Sequence, residues 1–100
     1  MVSVVSMVSA RIPPERAPEV IARFSVAVRA GMPERRHTSL LRREDDEWRI
    51  VTFWRSREDL DAYLASVDEP FAKQLLREAG GTPEVKVFEV MLDSSAKFWP

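Results

Sequence analysis

The spacing of apolar residues changes several times along the chain, and each change marks an element. Val2 to Ile12 places valine and serine in rough alternation and predicts a strand that Pro13 and Pro14 stop. From about Glu15 to Ala30, the residues Ala17, Val20, Ile21, Phe24, Ala27 and Val28 recur at helical spacing. They predict an amphipathic helix with one apolar stripe, ended by Gly31 and then Pro33. The segments "HTSLLRRE" and "EWRIVTFWR" flank an acidic tip, Glu44 to Glu47, and predict a β-hairpin.

After Trp54 the period becomes helical again. Ser56 followed by Asp59 approximates a capping box, with the serine accepting from a backbone N–H and the carboxylate reaching back. Leu60, Tyr63, Leu64 and Val67 then share a helix face. A second start is expected at "DEPF", with Asp68 as cap and Pro70 in the first turn. Phe71, Leu75 and Ala79 form its stripe, and Gly80-Gly81 stop it. Pro83 to Leu92 predicts a last strand, and residues 93–100 form a tail without periodicity. The order β-α-β-β-α-β predicts a ferredoxin-like α+β fold: one domain over residues 1–100, an antiparallel four-stranded sheet with its helices on one face.

Strand parity adds a second expectation. Both sheet faces are apolar: Val4, Val8, Trp48, Ile50, Trp54, Val85, Val87 and Met91 on one, Val5, Met7, Val51, Phe53, Phe88, Val90 and Leu92 on the other. The helices cover one face only. A second copy, sheet against sheet, is the economical cover for the other, so a homodimer is expected.

Composition narrows the function classes. The 100 residues carry 15 Lys and Arg against 16 Asp and Glu, a balance that argues against nucleic acid or an anionic membrane as partner. There is no cysteine, which excludes disulfides and thiolate metal sites. The four carboxylates at the hairpin tip lack the glycine and spacing of a calcium loop, so no metal is expected there. The start "MVSVVSMVSA" has no basic region ahead of its apolar residues and reads as a strand, so a cytoplasmic protein is expected.

The element order, together with "TFWRSREDLDAYLAS" across the third strand and second helix, resembles the antibiotic biosynthesis monooxygenase (ABM) superfamily of dimeric α+β barrels. The resemblance rests on Phe53-Trp54-Arg55-Ser56, Leu60 and Tyr63. It implies a pocket between sheet and helices and, in catalytic members, oxygenation of electron-rich aromatics with no cofactor, neither flavin nor metal. The deprotonated substrate itself hands an electron to O₂. In the haem-degrading branch an Asn, a Trp and a His occupy places that look like Val8, Tyr63 and Ala72 here, so haem is not expected as a ligand. Asp59 and Tyr63 stand near the Asn and Trp of the quinone-forming branch.

Five side chains are the candidates for chemistry. His37, the single imidazole, is the natural general base; a surface histidine is the plainer reading. Tyr63 offers a phenol that donates to, or stacks on, an aromatic ligand, or else a buried tyrosine with a satisfied hydroxyl. Ser6, Trp54 and Asp59 are candidates for binding; against this, Trp54 is a natural core anchor, and Ser6 a hydrogen-bonded space-saver that shares parity with Val4 and Val8. The expected function is an ABM-like monooxygenase of a small aromatic or polyketide-type molecule. The alternative is a non-catalytic ligand-binding or structural dimer on the same barrel.

Overall fold

The computed structural model describes residues 3–31 and 35–92. The chain runs through β1 (Val4–Arg11), a 3₁₀ turn (Pro14–Arg16), α1 (Ala17–Ala30), β2 (Arg35–Arg42), β3 (Glu47–Trp54), α2 (Arg57–Ser66), α3 (Phe71–Glu78) and β4 (Glu84–Glu89). The strands make one open antiparallel sheet in the order β2-β3-β1-β4. β3 lies between β1 and β2 and opposes both, so β1-α1-β2 is a split β-α-β unit, and the ferredoxin-like order holds. Val2, Pro33 and the 93–100 tail with Phe98 and Trp99 lie outside the described residues. Among the described residues no helix is long and apolar enough to cross a membrane.

Register assigns the side chains to faces. Val4 pairs with Trp54, Ser6 with Thr52, Val8 with Ile50 and Ala10 with Trp48. Adjacent residues on a strand point to opposite faces, so these eight share the inner face, toward the helices. The alternate set, with Val5 opposite Phe53 and Met7 opposite Val51, lies on the outer face. Val8, Ala10, Trp48 and Ile50 join Ile12, Val20, Leu75, Leu76 and Ala79 in the main core. Val4, Trp54 and Leu60 form a smaller cluster, with Tyr63 packed against it.

Several ends differ from the sequence expectation. Ser56 caps α2 as expected, its Oγ accepting from the Asp59 N–H at 3.1 Å. The Asp59 carboxylate does not close the box; it stands 3.4 Å from Arg55 Nε, because the guanidinium one turn back offers a charged partner. Pro70, not Asp68, is the N-cap of α3, and no side chain of that cap bonds the helix. β4 stops at Glu89, so Val90, Met91 and Leu92 fall beyond it, although the Val90 N–H still reaches Ser3 O at 2.9 Å. The acidic tip is tied to β1: Arg11 donates to the Asp45 carbonyl at 2.9 Å and to its carboxylate at 2.8 Å. Desolvation raises the Asp45 carboxyl, but Arg11 and Arg43 outweigh it and hold that group below its ordinary value.

The end of α3 sets how closely helix and sheet approach. The Gly81 N–H bonds Leu76 O at 2.9 Å and the Gly80 N–H bonds Arg77 O at 3.1 Å, the paired bonds of a Schellman cap. Gly80 supplies the left-handed residue, with φ of 100°. At Gly81 the constraint is space: a Cβ would stand 2.8 Å from Ala10 Cβ and 3.0 Å from the Arg11 carbonyl oxygen. Gly81→Ala should therefore destabilise the protein by about 1–3 kcal/mol in urea denaturation, through forced displacement of the β1 backbone. An unchanged midpoint would contradict this close approach.

Candidate functional site

A cavity of about 60 Å³ lies between the inner sheet face and the junction of α2 with α3. It occupies the gap between the two core clusters, bordered by Val8 from one and by Trp54 and Leu60 from the other. Ser6, Thr52, Val85 and Val87 complete the sheet side; Tyr63, Leu64, Pro70 and Ala72 complete the helix side. None of these lining residues carries a charge. Leu64, Val85 and Val87 are 41%, 48% and 40% exposed, so the cavity meets solvent between α2 and β4 across apolar lips.

The aromatic wall follows from the local sequence. Trp54 ends β3 on the inner face, and Ser56 starts α2 two residues later. Seven residues past the cap, Tyr63 returns over the same spot. Its ring centroid lies 5.5 Å from that of Trp54, with the planes tilted by 36°. The Tyr63 hydroxyl accepts the Phe71 N–H at 2.9 Å. A helix start leaves its first amides without backbone acceptors, and here a tyrosine on the preceding helix supplies one. Tyr63 thus fills the role expected of Asp68. The Glu69 carboxylate receives Arg77 at 2.7 Å, and this bond holds its pKa below the ordinary value.

Of the five candidates, the structure brings three together at the cavity: Ser6, Trp54 and Tyr63. Trp54 Nε1 donates to Ser6 Oγ at 2.9 Å. His37 does not converge on them. It opposes Phe53 in the register, which puts it on the outer face, and a register irregularity between Arg35 and His37 sets that parity. Its ring lies 5.8 Å from that of Phe53, and Nε2 is 2.8 Å from Ser39 Oγ. Asp59 does not border the cavity. Thr52 was missed. It is 5% exposed, and its Oγ1 lies 3.0 Å from Thr38 Oγ1. The signal was present, since Thr52 shares parity with Ile50 and Trp54, but threonine is a common strand former and attracts no notice there.

The family model for antibiotic biosynthesis monooxygenases matches residues 1–88. The chain belongs to the antibiotic biosynthesis monooxygenase family. Among solved structures, the ABM chain is similar to SnoaB, a cofactor-independent oxygenase from Streptomyces nogalater. The identity is 20%, 94% of this chain and 98% of that one are covered, and the TM-score is 0.65. It is also similar to the haem degrader MhuD from Mycobacterium tuberculosis, whose structure holds two haems in its active site. There the identity is 26%, the coverage 90% and 97%, and the TM-score 0.64. A protein from Nitrosomonas europaea gives 11% identity, coverage of 94% of each chain and a TM-score of 0.71, a likeness of fold alone. A search of curated proteins finds no match.

The three places compared with the haem-degrading branch, Val8, Tyr63 and Ala72, all border the ABM cavity. Haem does not fit what they offer. Val8 and Ala72 carry no ligating atom, and the one imidazole is on the outer face. Tyr63 is the residue on which the cavity's shape turns. Tyr63→Phe keeps the ring against Trp54 but leaves the Phe71 amide without that acceptor, at a cost of about 1–3 kcal/mol. Urea denaturation should show that loss, and the Phe71 amide should exchange its hydrogen faster than in the parent. Unchanged stability and exchange would contradict the capping role.

Proposed function

We propose that this ABM protein is a cofactor-independent monooxygenase of a small, flat, electron-rich aromatic or polyketide-type molecule. The observation that carries the reading is the uncharged cavity walled by Trp54 and Tyr63, with the hydroxyls of Ser6 and Thr52 among its lining residues. The family and the likeness in fold to an oxygenase support it.

The chemistry asks little of the protein. The substrate loses a proton, and its anion passes one electron to O₂. The substrate radical and superoxide then join in a C–O bond, and a proton converts the peroxide anion to a hydroperoxide. Loss of water leaves a carbonyl that retains one oxygen atom. The protein would exclude bulk water, hold the ring between the sheet and the α2–α3 junction, and donate to the oxygen that gathers charge. No carboxylate or imidazole borders the cavity, so the proton lost must be one that the substrate gives up readily, as phenols and anthrones do. The proposal gives His37 and Asp59 no part in their own chain's cavity.

The outer face has a separate role. Val5, Met7, Phe53 and Phe88 form an apolar surface on the side away from the helices, and Phe88 is 48% exposed. We assign its cover to a second copy, sheet against sheet, which makes the working unit a homodimer. The lack of a base among the cavity residues also favours a second reading, a ligand-binding dimer without catalysis.

Oxygen uptake distinguishes the two. Protein stripped of metal and flavin should consume O₂ with a hydroxyanthrone and place one ¹⁸O atom from ¹⁸O₂ in the product. Stoichiometric binding of that probe with no uptake above the buffer rate would reject the oxygenase and leave the binding dimer.

A further inference from the structure

One row of the inner sheet face differs from its neighbours. Val4 with Trp54 and Val8 with Ile50 are apolar pairs, whereas the row between them holds Thr38, Thr52 and Ser6 side by side on β2, β3 and β1. That row lies between the two core clusters, and Ser6 and Thr52 border the cavity. Hydroxyls in an apolar core contribute less than valine would unless something uses them. Trp54 Nε1 donates to Ser6 Oγ at 2.9 Å, and this fixes the direction of the chain of bonds. An indole nitrogen only donates, so Ser6 Oγ is the acceptor and its own O–H remains to be given away.

We infer that Trp54 and Ser6 form a two-step donor relay, in which the indole N–H polarises the serine hydroxyl and the hydroxyl donates to an oxygen of the bound ligand. This rests on the reading that the cavity takes an apolar aromatic, and it narrows the ligand class. The ligand is uncharged when it enters, since no charged residue lines the cavity. It carries a carbonyl or phenolic oxygen on the edge that meets β1. Hydrogen bonds in such a chain strengthen one another, and the last one strengthens most when its acceptor gains negative charge. Ser6 is therefore a specificity-determining donor for the oxygen on which charge develops.

Two probes with one ring skeleton test the relay, 1-tetralone with a carbonyl and tetralin without. The parent should bind tetralone the more tightly. Ser6→Ala should weaken tetralone binding by about 5- to 10-fold, leave tetralin unchanged and bring the two affinities together, while Ser6→Thr restores the preference. Tetralone, but not tetralin, should move the Trp54 indole proton resonance downfield, a signature that a space-filling serine would not give. If Ser6→Ala leaves the tetralone preference intact, or weakens both probes alike, the relay is overturned and the cavity reading stands. If the parent binds neither probe, the cavity reading fails and takes the relay with it.

Discussion

The register of β1 against β3 is the constraint on which the rest of this structure depends. Pairing Val4 with Trp54 and Val8 with Ile50 turns every even residue of β1 toward the helices. A slip of one residue would turn Val5 and Met7 inward and carry Ser6 away from the cavity. The register is held by what the inner face buries: Val4, Val8, Ala10, Trp48, Ile50 and Trp54 would all leave the core on a one-residue slip. It fixes the main core under α3, the second cluster under α2, the hydroxyl row between them and the apolar outer face.

The cavity follows from how the chain leaves the sheet. A single long helix after Trp54 would lie flat and close the gap. The helix instead breaks between Ser66 and Phe71, and the two pieces are held by different means. Ser56 anchors the start of α2, Tyr63 anchors the start of α3, and the Schellman cap at Gly80-Gly81 seats the end of α3 on β1. Tyr63 acts in two ways, since its ring walls the cavity against Trp54 while its hydroxyl positions the helix that bears Ala72. A ligand that moved Tyr63 would disturb the first turn of α3 as well.

Much of the fold was legible because alternation and helical spacing are local signals. The element order, both apolar faces and the Ser56 cap could be read from neighbours a few residues apart. What could not be read depended on contacts across the chain. The cap of α3 comes from Tyr63, eight residues away, so the aspartate next to the helix was a misleading local signal. The face of His37 depends on an irregularity in the β2–β3 register that composition does not reveal. Ser6 was legible as inward-facing, but its use as an acceptor for Trp54 joins residues 48 positions apart. Thr38 and Thr52 look like ordinary strand threonines until the register places them in one row.

The central claim is that the two apolar faces have different work, the inner one for a ligand and the outer one for a second copy. Sedimentation equilibrium at micromolar concentration, on the parent and on Phe88→Asp, tests it most directly. Phe88 is half-exposed within one chain, so a charge there leaves the monomer fold intact but cannot be buried without cost against a partner. The account predicts twice the chain mass for the parent and a folded monomer for the variant. A parent that sediments as a monomer, or a variant that remains a dimer, would contradict it.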